Sequence, residues 1–176
     1  MDQQDNYKKS GFKLAYRNIR YEGSGGGNPP DNSEIVKLST LPQETIDSYD
    51  RPFFPAIRSR FIKTWINQPD CQALGIMKSG KLAGYGVIRG CHSGYKIGPL
   101  FADSPELAES LFLALKSRAK QSEPVFLDTP EVNQAAVALA ERYEMKISFE
   151  TARMYTGEIP DMPLNRIFGV TSFEIG

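Results

Sequence analysis

The hydrophobic and polar positions of this chain repeat with two different periods. Alternation at every second residue, as at Phe12, Leu14 and Tyr16, is typical of a half-buried strand. A spacing of three or four, as at Leu107, Leu111 and Leu115, is typical of a helix packed on a sheet. These patterns predict an α/β protein with strands at 12–22, 34–38, 72–78, 82–89, 95–102, 125–127, 147–155 and 167–175, and with helices at 41–49, 56–68, from Pro105 onward and after Glu131.

A Gly- and Pro-rich stretch, GSGGGNPPDN at residues 23–32, is the clearest linker of the chain. It divides the sequence into a tail strand at 1–22, the linker, and a domain at 33–176. An isolated strand needs a partner, so the tail either extends the sheet of this domain or belongs to a sheet upstream. A lone strand before a flexible linker also makes a homodimer through exchange of that strand possible.

The stretch from Lys81 to Met145 is predicted to hold a ligand, because open α/β sheets bind ligands beyond the carboxyl ends of their strands. The strand predicted at 95–102 contains Gly98-Pro99, and proline cannot donate a hydrogen bond to a neighbouring strand. Pairing on one side must therefore fail near Pro99. The result would be a wedge with free backbone groups, which a ligand could occupy.

Composition removes several classes of function. Lys plus Arg and Asp plus Glu are equal at 21 each, so the basic excess that nucleic acids or membrane surfaces attract is absent. No run of 18 apolar residues occurs, and the first residues lack the apolar segment of a signal peptide, which favours the cytoplasm. Cys71, Cys91 and a single histidine do not make a zinc site, so no metal is expected.

Several stretches of this sequence resemble the GCN5-related N-acetyltransferase (GNAT) family. Asn133, Ala136 and Leu139 are similar to the N-x-x-A-x-x-L helix of that family. Four further stretches resemble the second unit of two-unit, YitH-like acetyltransferases: YDRPFFPAIRSRFIKTWI, GYKIGPLFAD, FLDTPEVN and FETARMYTG. The start of the chain, from Tyr7 to Phe12, resembles the Y-x-K-x-G-F motif that ends a GNAT unit. The resemblance implies the tail of one unit followed by a second unit.

The resemblance implies a mixed sheet of about six to seven strands with a splayed central pair and helices on both faces. It also implies acetyl-CoA as co-substrate and a small-molecule or protein amine as acceptor. The residues that would contact the coenzyme lie on the splayed strand and at the start of the last helix: Gly98, Leu100, Phe101, Ala102 and Asn133.

The phosphate-binding turn departs from the family pattern R/Q-x-x-G-x-G/A. Asp103 stands at the position of the Arg or Gln, Glu106 at the first glycine and Ala108 at the last position. A carboxylate beside a pyrophosphate costs about 1 kcal/mol or more even in a watery setting. Ala140 stands where the family has its catalytic tyrosine.

Tyr143 is predicted to replace the missing tyrosine as general acid, since it lies almost one helical turn further on. Tyr95 and Tyr155 are alternative acids. Glu150 is predicted to activate the amine, and Asp128 could do the same, although it is better explained as a helix cap. Arg153 could anchor a charged substrate.

Two functions of different classes remain open at this point. One is acetyl-CoA-dependent N-acetyl transfer to an amine, which the Gly98-Pro99 splay and Asn133 favour. The other is a catalytically silent GNAT-like domain that binds a ligand or supports a partner, which Glu106 and Ala140 favour.

Overall fold

The computed structural model describes residues 4–174 of the chain, which contain eight strands and five α-helices. The elements in chain order are α1 Gln4–Lys9, β1 Lys13–Ser24, β2 Ile35–Lys37, α2 Gln43–Asp50, α3 Ser59–Trp65, β3 Cys71–Lys78, β4 Lys81–Gly90, β5 Tyr95–Ala102, α4 Pro105–Lys116, β6 Pro124–Pro130, α5 Gln134–Arg142, β7 Lys146–Tyr155 and β8 Ile167–Gly169.

All eight strands belong to one mixed sheet. Their order is β2-β3-β4-β5-β6-β1-β7, and β8 pairs with β5 beside this path. Only β5 and β6 run parallel; the other pairs are antiparallel. The prediction of a mixed sheet with a splayed central pair is confirmed, with eight strands instead of six to seven.

Helices cover both faces of the sheet, as predicted. On one face α4 buries Leu111, Phe112 and Leu115 completely, and α5 packs beside it. On the other face α2 and α3 enclose a second core around Tyr85, which is also completely buried. No helix within residues 4–174 is long and apolar enough to cross a membrane.

The strand predicted as a tail lies inside the sheet. β1 is paired with β6 on one side and with β7 on the other, so that Ile19 lies between Thr129 and Glu150. The start of the predicted linker lies beside the loop between α4 and β6. There the Gly25 N–H donates to the Glu123 carbonyl at 2.8 Å. The predicted origin of residues 1–22 in another unit stays a prediction, and residues 1–3 lie outside the described residues.

Most elements begin and end within about three residues of their predicted bounds, and the differences at β6 and β8 bear on the site. β6 continues to Pro130, so Asp128 is a buried strand residue and not the cap of α5. The cap is Asn133, whose Oδ1 accepts from the Ala136 N–H at 3.2 Å. β8 has three residues instead of nine, because its pairing with β5 stops at Gly169; residue 175 of the predicted strand lies outside the described residues.

Candidate functional site

The predicted wedge exists between β5 and β6. The two strands pair only where Tyr95–Ile97 faces Val125–Leu127, and they diverge beyond that point. The Gly98-Pro99 peptide, which is cis, stands where the divergence begins. The local signal in the sequence therefore located the wedge correctly.

The chain fills this wedge with its own residues 166–173, which we call the closing segment. Its strand β8 pairs antiparallel with the diverging part of β5. In this pairing Ile167 faces Phe101 and Gly169 faces Leu100. The backbone groups of β5 that β6 leaves free thus face a strand of the same chain.

The other edge of the closing segment is bonded to β6. The Val170 N–H donates to the Asp128 carbonyl at 2.8 Å, and the Thr129 hydroxyl donates to the Phe168 carbonyl at 3.2 Å. The closing segment therefore bridges the two diverging strands and occupies the wedge in which a ligand was predicted.

The residues predicted to contact the coenzyme face atoms of the chain itself. The Gly98 carbonyl accepts from the Trp65 indole N–H at 2.9 Å, and the Asn133 amide donates to the Ile167 carbonyl at 2.9 Å. A side-chain carbon added at Gly98 would lie 2.6 Å from the Val170 carbonyl oxygen. All five predicted residues are buried: Gly98, Leu100, Phe101, Ala102 and Asn133.

The start of α4 carries negative charge that is partnered within the chain. Asp103 accepts a hydrogen bond from the Tyr49 hydroxyl at 2.8 Å and forms an ion pair with Arg166 at 2.5 Å. Glu106 accepts from the Ser104 hydroxyl at 2.6 Å, and this hydrogen bond lowers the pKa of the Glu106 carboxyl. A pyrophosphate placed here would meet two carboxylates.

Coenzyme A therefore does not fit the wedge and the start of α4 as this chain arranges them. Its pantetheine arm would need the space of the closing segment, and its phosphates would need the site where Asp103 and Glu106 lie.

The two residues predicted to be catalytic lie on different elements. Tyr143 follows α5 and donates its hydroxyl to Glu109 at 2.6 Å. Burial, followed by this hydrogen bond, raises the pKa of Tyr143 to about 12, so the phenol holds its proton firmly. Glu150 lies on β7 and pairs with Arg17 at 3.2 Å. No hydrogen bond or ion pair within residues 4–174 joins Tyr143 to Glu150.

Asp128, the second candidate for activating an amine, is committed to an ion-pair cluster. It has no exposed side-chain surface and pairs with Lys96 and with Arg20. Its carboxylate accepts three hydrogen bonds from these two cations and is closed off from solvent, which leaves no access for a substrate. Asp128 therefore serves the structure of the sheet.

A small, partly open cavity lies on the α2–α3 side of the wedge. Its volume is about 70 Å³, which is room for about five water molecules, since one needs roughly 10–15 Å³ of such space. It is bounded by β1, β7, the loop before α3 and the closing segment. The lining residues are Tyr16, Asn18, Phe53, Phe54, Pro55, Phe101, Arg153, Tyr155, Pro160, Met162, Ile167 and Val170.

Asn18 is the unexplained group of this cavity. Its side chain lines the cavity, the residue is only 3% exposed, and its Oδ1 has no hydrogen-bond partner among the described residues. Buried polar atoms without a partner are uncommon and costly, by about 1–3 kcal/mol. A ligand with an N–H or O–H group would remove this cost.

Arg153 and two tyrosines form the polar wall of the cavity. The Arg153 Nε donates to the Tyr155 hydroxyl at 3.0 Å, and within residues 4–174 Arg153 has no ion-pair partner. Burial, together with the neighbouring Tyr155, raises the pKa of Tyr16 to about 12. Tyr16 is therefore neutral at physiological pH. Arg153 is the only lysine, arginine, aspartate or glutamate among the residues that line the cavity.

Sequence reasoning found half of this polar wall. Arg153 was a candidate anchor for a charged substrate and Tyr155 a candidate acid, both on a predicted strand. Tyr16 and Asn18 were missed because residues 12–22 were assigned to a separate tail. The alternation of that strand was visible, but its place between β6 and β7 depends on pairing with residues more than 100 positions away.

Comparison with known proteins gives a consistent picture. A family model described as "Acetyltransferase (GNAT) domain" matches residues 46–169. A curated relative, the holothin acyltransferase of a Pseudoalteromonas species, is 24% identical over 177 residues, which cover 99% of this chain and 60% of that protein.

Solved structures share the fold. A putative acetyltransferase from Pyrococcus horikoshii superposes with a TM-score of 0.79 at 24% identity, over 99% of this chain and 57% of the other. A putative GNAT-family acetyltransferase from Novosphingobium aromaticivorans has a TM-score of 0.53 at 19% identity, over 82% and 65%. This chain thus spans about three-fifths of the length of the Pseudoalteromonas and Pyrococcus proteins.

Proposed function

Because this chain belongs to the GNAT acetyltransferase family, we propose that it binds a small amine that also carries a carboxylate, in the cavity lined by Asn18 and Arg153. The observation that carries this proposal is the buried Oδ1 of Asn18, which has no hydrogen-bond partner among the described residues and belongs to a residue that lines the cavity. In the state described, the function is binding and not acetyl transfer.

The amine of the ligand would satisfy Asn18. An ammonium or amide N–H donates to Oδ1 and removes the cost of a buried acceptor without a partner. No aspartate or glutamate lines the cavity, so the amine is held by hydrogen bonds such as the one to Asn18 rather than by an ion pair.

The carboxylate of the ligand would pair with Arg153. A guanidinium offers parallel N–H donors to the two oxygens of a carboxylate, and this guanidinium has no acid of its own within the described residues. Phe53, Phe54 and Phe101 give the cavity an apolar wall. The ligand class that combines these features is a small amino acid or a similar aminocarboxylate with an apolar side chain.

Acetyl transfer from acetyl-CoA to that amine is the second candidate function. It is favoured by the family and by the name of the Pseudoalteromonas relative, an acyltransferase. It would require the closing segment to leave the wedge and the coenzyme to tolerate Asp103 and Glu106. The acceptor could be a free small molecule or an amino group of a protein.

Ligand-observed NMR with three matched probes would test the proposal. L-valine carries both groups, valinamide lacks the carboxylate, and 3-methylbutanoate lacks the amine. We expect L-valine to bind best. Arg153→Gln should weaken L-valine binding about 10-fold or more, to the level of valinamide, because the charge-assisted pair is lost.

Asn18→Leu should weaken L-valine in the same way, to the level of 3-methylbutanoate. Arg142→Gln is the matched control, because Arg142 is an ion-paired arginine outside the cavity, and it should leave all three affinities unchanged. Equal binding of the three probes, or equal effects of the two arginine variants, would disprove the proposal. Release of free thiol from acetyl-CoA in the presence of L-valine would establish the second candidate instead.

A further inference from the structure

The closing segment, residues 166–173, is built into the sheet at both of its edges. β8 pairs with β5 through Ile167 and Gly169. On the other side the carbonyl of Phe168 and the N–H of Val170 are bonded to β6. A loop resting on a surface would leave such groups to water, whereas here the hydrogen-bonding groups of an extended strand are used.

The side chains of the closing segment join the cores on the two faces of the sheet. Phe168 has no exposed surface and belongs to the core under α4 and α5. Ile167 and Val170 are 4% and 5% exposed and belong to the core under α2 and α3. Ile167 and Phe168 are successive residues of β8 and point to opposite faces, as in any strand, whereas Val170 lies beyond the end of β8. The closing segment thus places apolar side chains on both faces of the sheet.

The fit in the wedge leaves little tolerance at Gly169. A side-chain carbon added there would lie 2.8 Å from Leu127 and 3.2 Å from Leu100. Contacts this short between carbon atoms force one of the groups to move. The wedge thus accommodates an extended segment only if the residue at position 169 has no side chain.

The residues around Asp103, where the closing segment enters the wedge, favour a positively charged side chain. The Arg166 guanidinium pairs with Asp103 at the start of α4 and lies over the rings of Tyr49 and Phe53, at 5.3 and 4.9 Å from their centroids. Asp103 is the residue whose charge disagrees with a pyrophosphate site. The same charge agrees with an arginine placed immediately before β8.

We infer that the wedge of this chain is a receptor for an extended apolar peptide strand preceded by a cation, and that residues 166–173 are its resident ligand. In this arrangement Asp103 positions Arg166 and is not a degraded phosphate-binding residue. The closing segment and the pantetheine arm of a coenzyme exclude each other, because both need the free edge of β5. This inference is independent of what the cavity binds.

Hydrogen exchange of the full-length chain, measured by mass spectrometry, tests the inference directly. In the wild type we expect the amides of Phe168 to Thr171 to exchange as slowly as those in the middle of β4. Arg166→Gln should speed their exchange about 3- to 10-fold while β4 stays protected, because the charge-assisted pair with Asp103 is lost.

Arg142→Gln is the matched control, because it removes another ion pair made to the same helix, with Glu109 at 2.7 Å. It should leave the closing segment unchanged. Gly169→Ala is a second variant that acts on packing instead of charge, and it should speed exchange in the same four amides.

Three results would overturn the inference. The first is rapid exchange of residues 168–171 in the wild type, which would mean that the wedge is open in solution. The second is an equal effect of Arg166→Gln and Arg142→Gln. The third is faster exchange of the closing segment when coenzyme A is added to the wild type at millimolar concentration, which would make the wedge a coenzyme site with a displaceable cover.

Discussion

Asp128 is a single residue on which the middle of the sheet depends. It has no exposed side-chain surface; the Lys96 ammonium donates to its Oδ2, and the Arg20 guanidinium donates to both oxygens at 2.7 and 2.9 Å. Burial lowers the pKa of Lys96, and the neighbouring Asp128 carboxylate opposes that change. The aspartate is thus the counter-ion that allows a lysine in this position.

Asp128→Asn should lower the free energy of unfolding by about 3–5 kcal/mol, because removing one partner of a buried ion pair leaves an uncompensated charge. Urea denaturation at pH 7 measures this change. Glu34→Gln is the control, since Glu34 pairs with Lys78 at the surface and its loss should cost less than about 1 kcal/mol. Similar losses in the two variants would show that the cluster around Asp128 is solvated.

Residue roles that depend on a neighbouring stretch of sequence could be predicted, whereas roles that depend on distant contacts could not. Ser104 was identified as a helix cap because its position before Pro105 is a local signal. Asp128 also precedes a proline and a glutamate, as a helix cap often does, but it is buried in β6. The ion pair that holds it there is made with Lys96, 32 residues away, and no local pattern indicates it. The partner of Asp103, Arg166, is 63 residues away and equally invisible in the pattern.

Asn133 connects two elements, because its amide serves both at once. Its Oδ1 caps α5 by accepting from the Ala136 N–H, and its Nδ2 donates to the Ile167 carbonyl of the closing segment. Ser104 caps α4 through its hydroxyl, which accepts from the Leu107 N–H. The two caps are comparable in kind, and only Asn133 touches the closing segment.

Asn133→Ala and Ser104→Ala should each lower the free energy of unfolding by about 1–2 kcal/mol, through loss of a cap. Only Asn133→Ala should also speed the hydrogen exchange of residues 167–170, since the Ile167 carbonyl loses its donor. Thermal unfolding and exchange measured on the same samples separate the two effects. If Asn133→Ala left exchange unchanged, the hydrogen bonds to β5 and β6 would hold the closing segment without Asn133.

Element bounds follow the same division between local and distant signals. β5 and the start of α4 were predicted to the residue, because Gly98-Pro99 and Ser104-Pro105 fix them locally. The final strand was predicted at nine residues from its apolar content alone. It has three, because the space between β5 and β6 decides how much of the closing segment can pair.

The whole molecule depends on β1, although the sequence separates this strand from the rest by a flexible linker. β1 fills the gap between β6 and β7, and it buries Tyr16, Ile19 and Tyr21 to 8% exposure or less. It also supplies Asn18 to the cavity. A strand with both edges paired inside one chain has no free edge for a second copy, so the homodimer through this strand stays a prediction that such pairing does not favour.

A chain that begins at Gly25 should therefore fail to unfold cooperatively, since β6 and β7 would each expose an edge and the apolar residues of β1 would be missing. Addition of a synthetic peptide of residues 11–24 should restore a cooperative transition and a single thermal midpoint, because a strand added to a sheet edge recovers both its hydrogen bonds and its packing. Far-ultraviolet circular dichroism against temperature, with and without the peptide, measures this.

The control is the same peptide with Ile19→Ser and Tyr21→Ser, which keeps the backbone but loses the buried side chains. It should not restore the transition, because burial of a side chain of this size contributes about 1.5–3 kcal/mol. A cooperative transition of the shortened chain without any peptide would show that the sheet closes without β1. In that case the cavity would lack Asn18 in a folded protein, and the same shortened chain could be used to ask whether L-valine still binds.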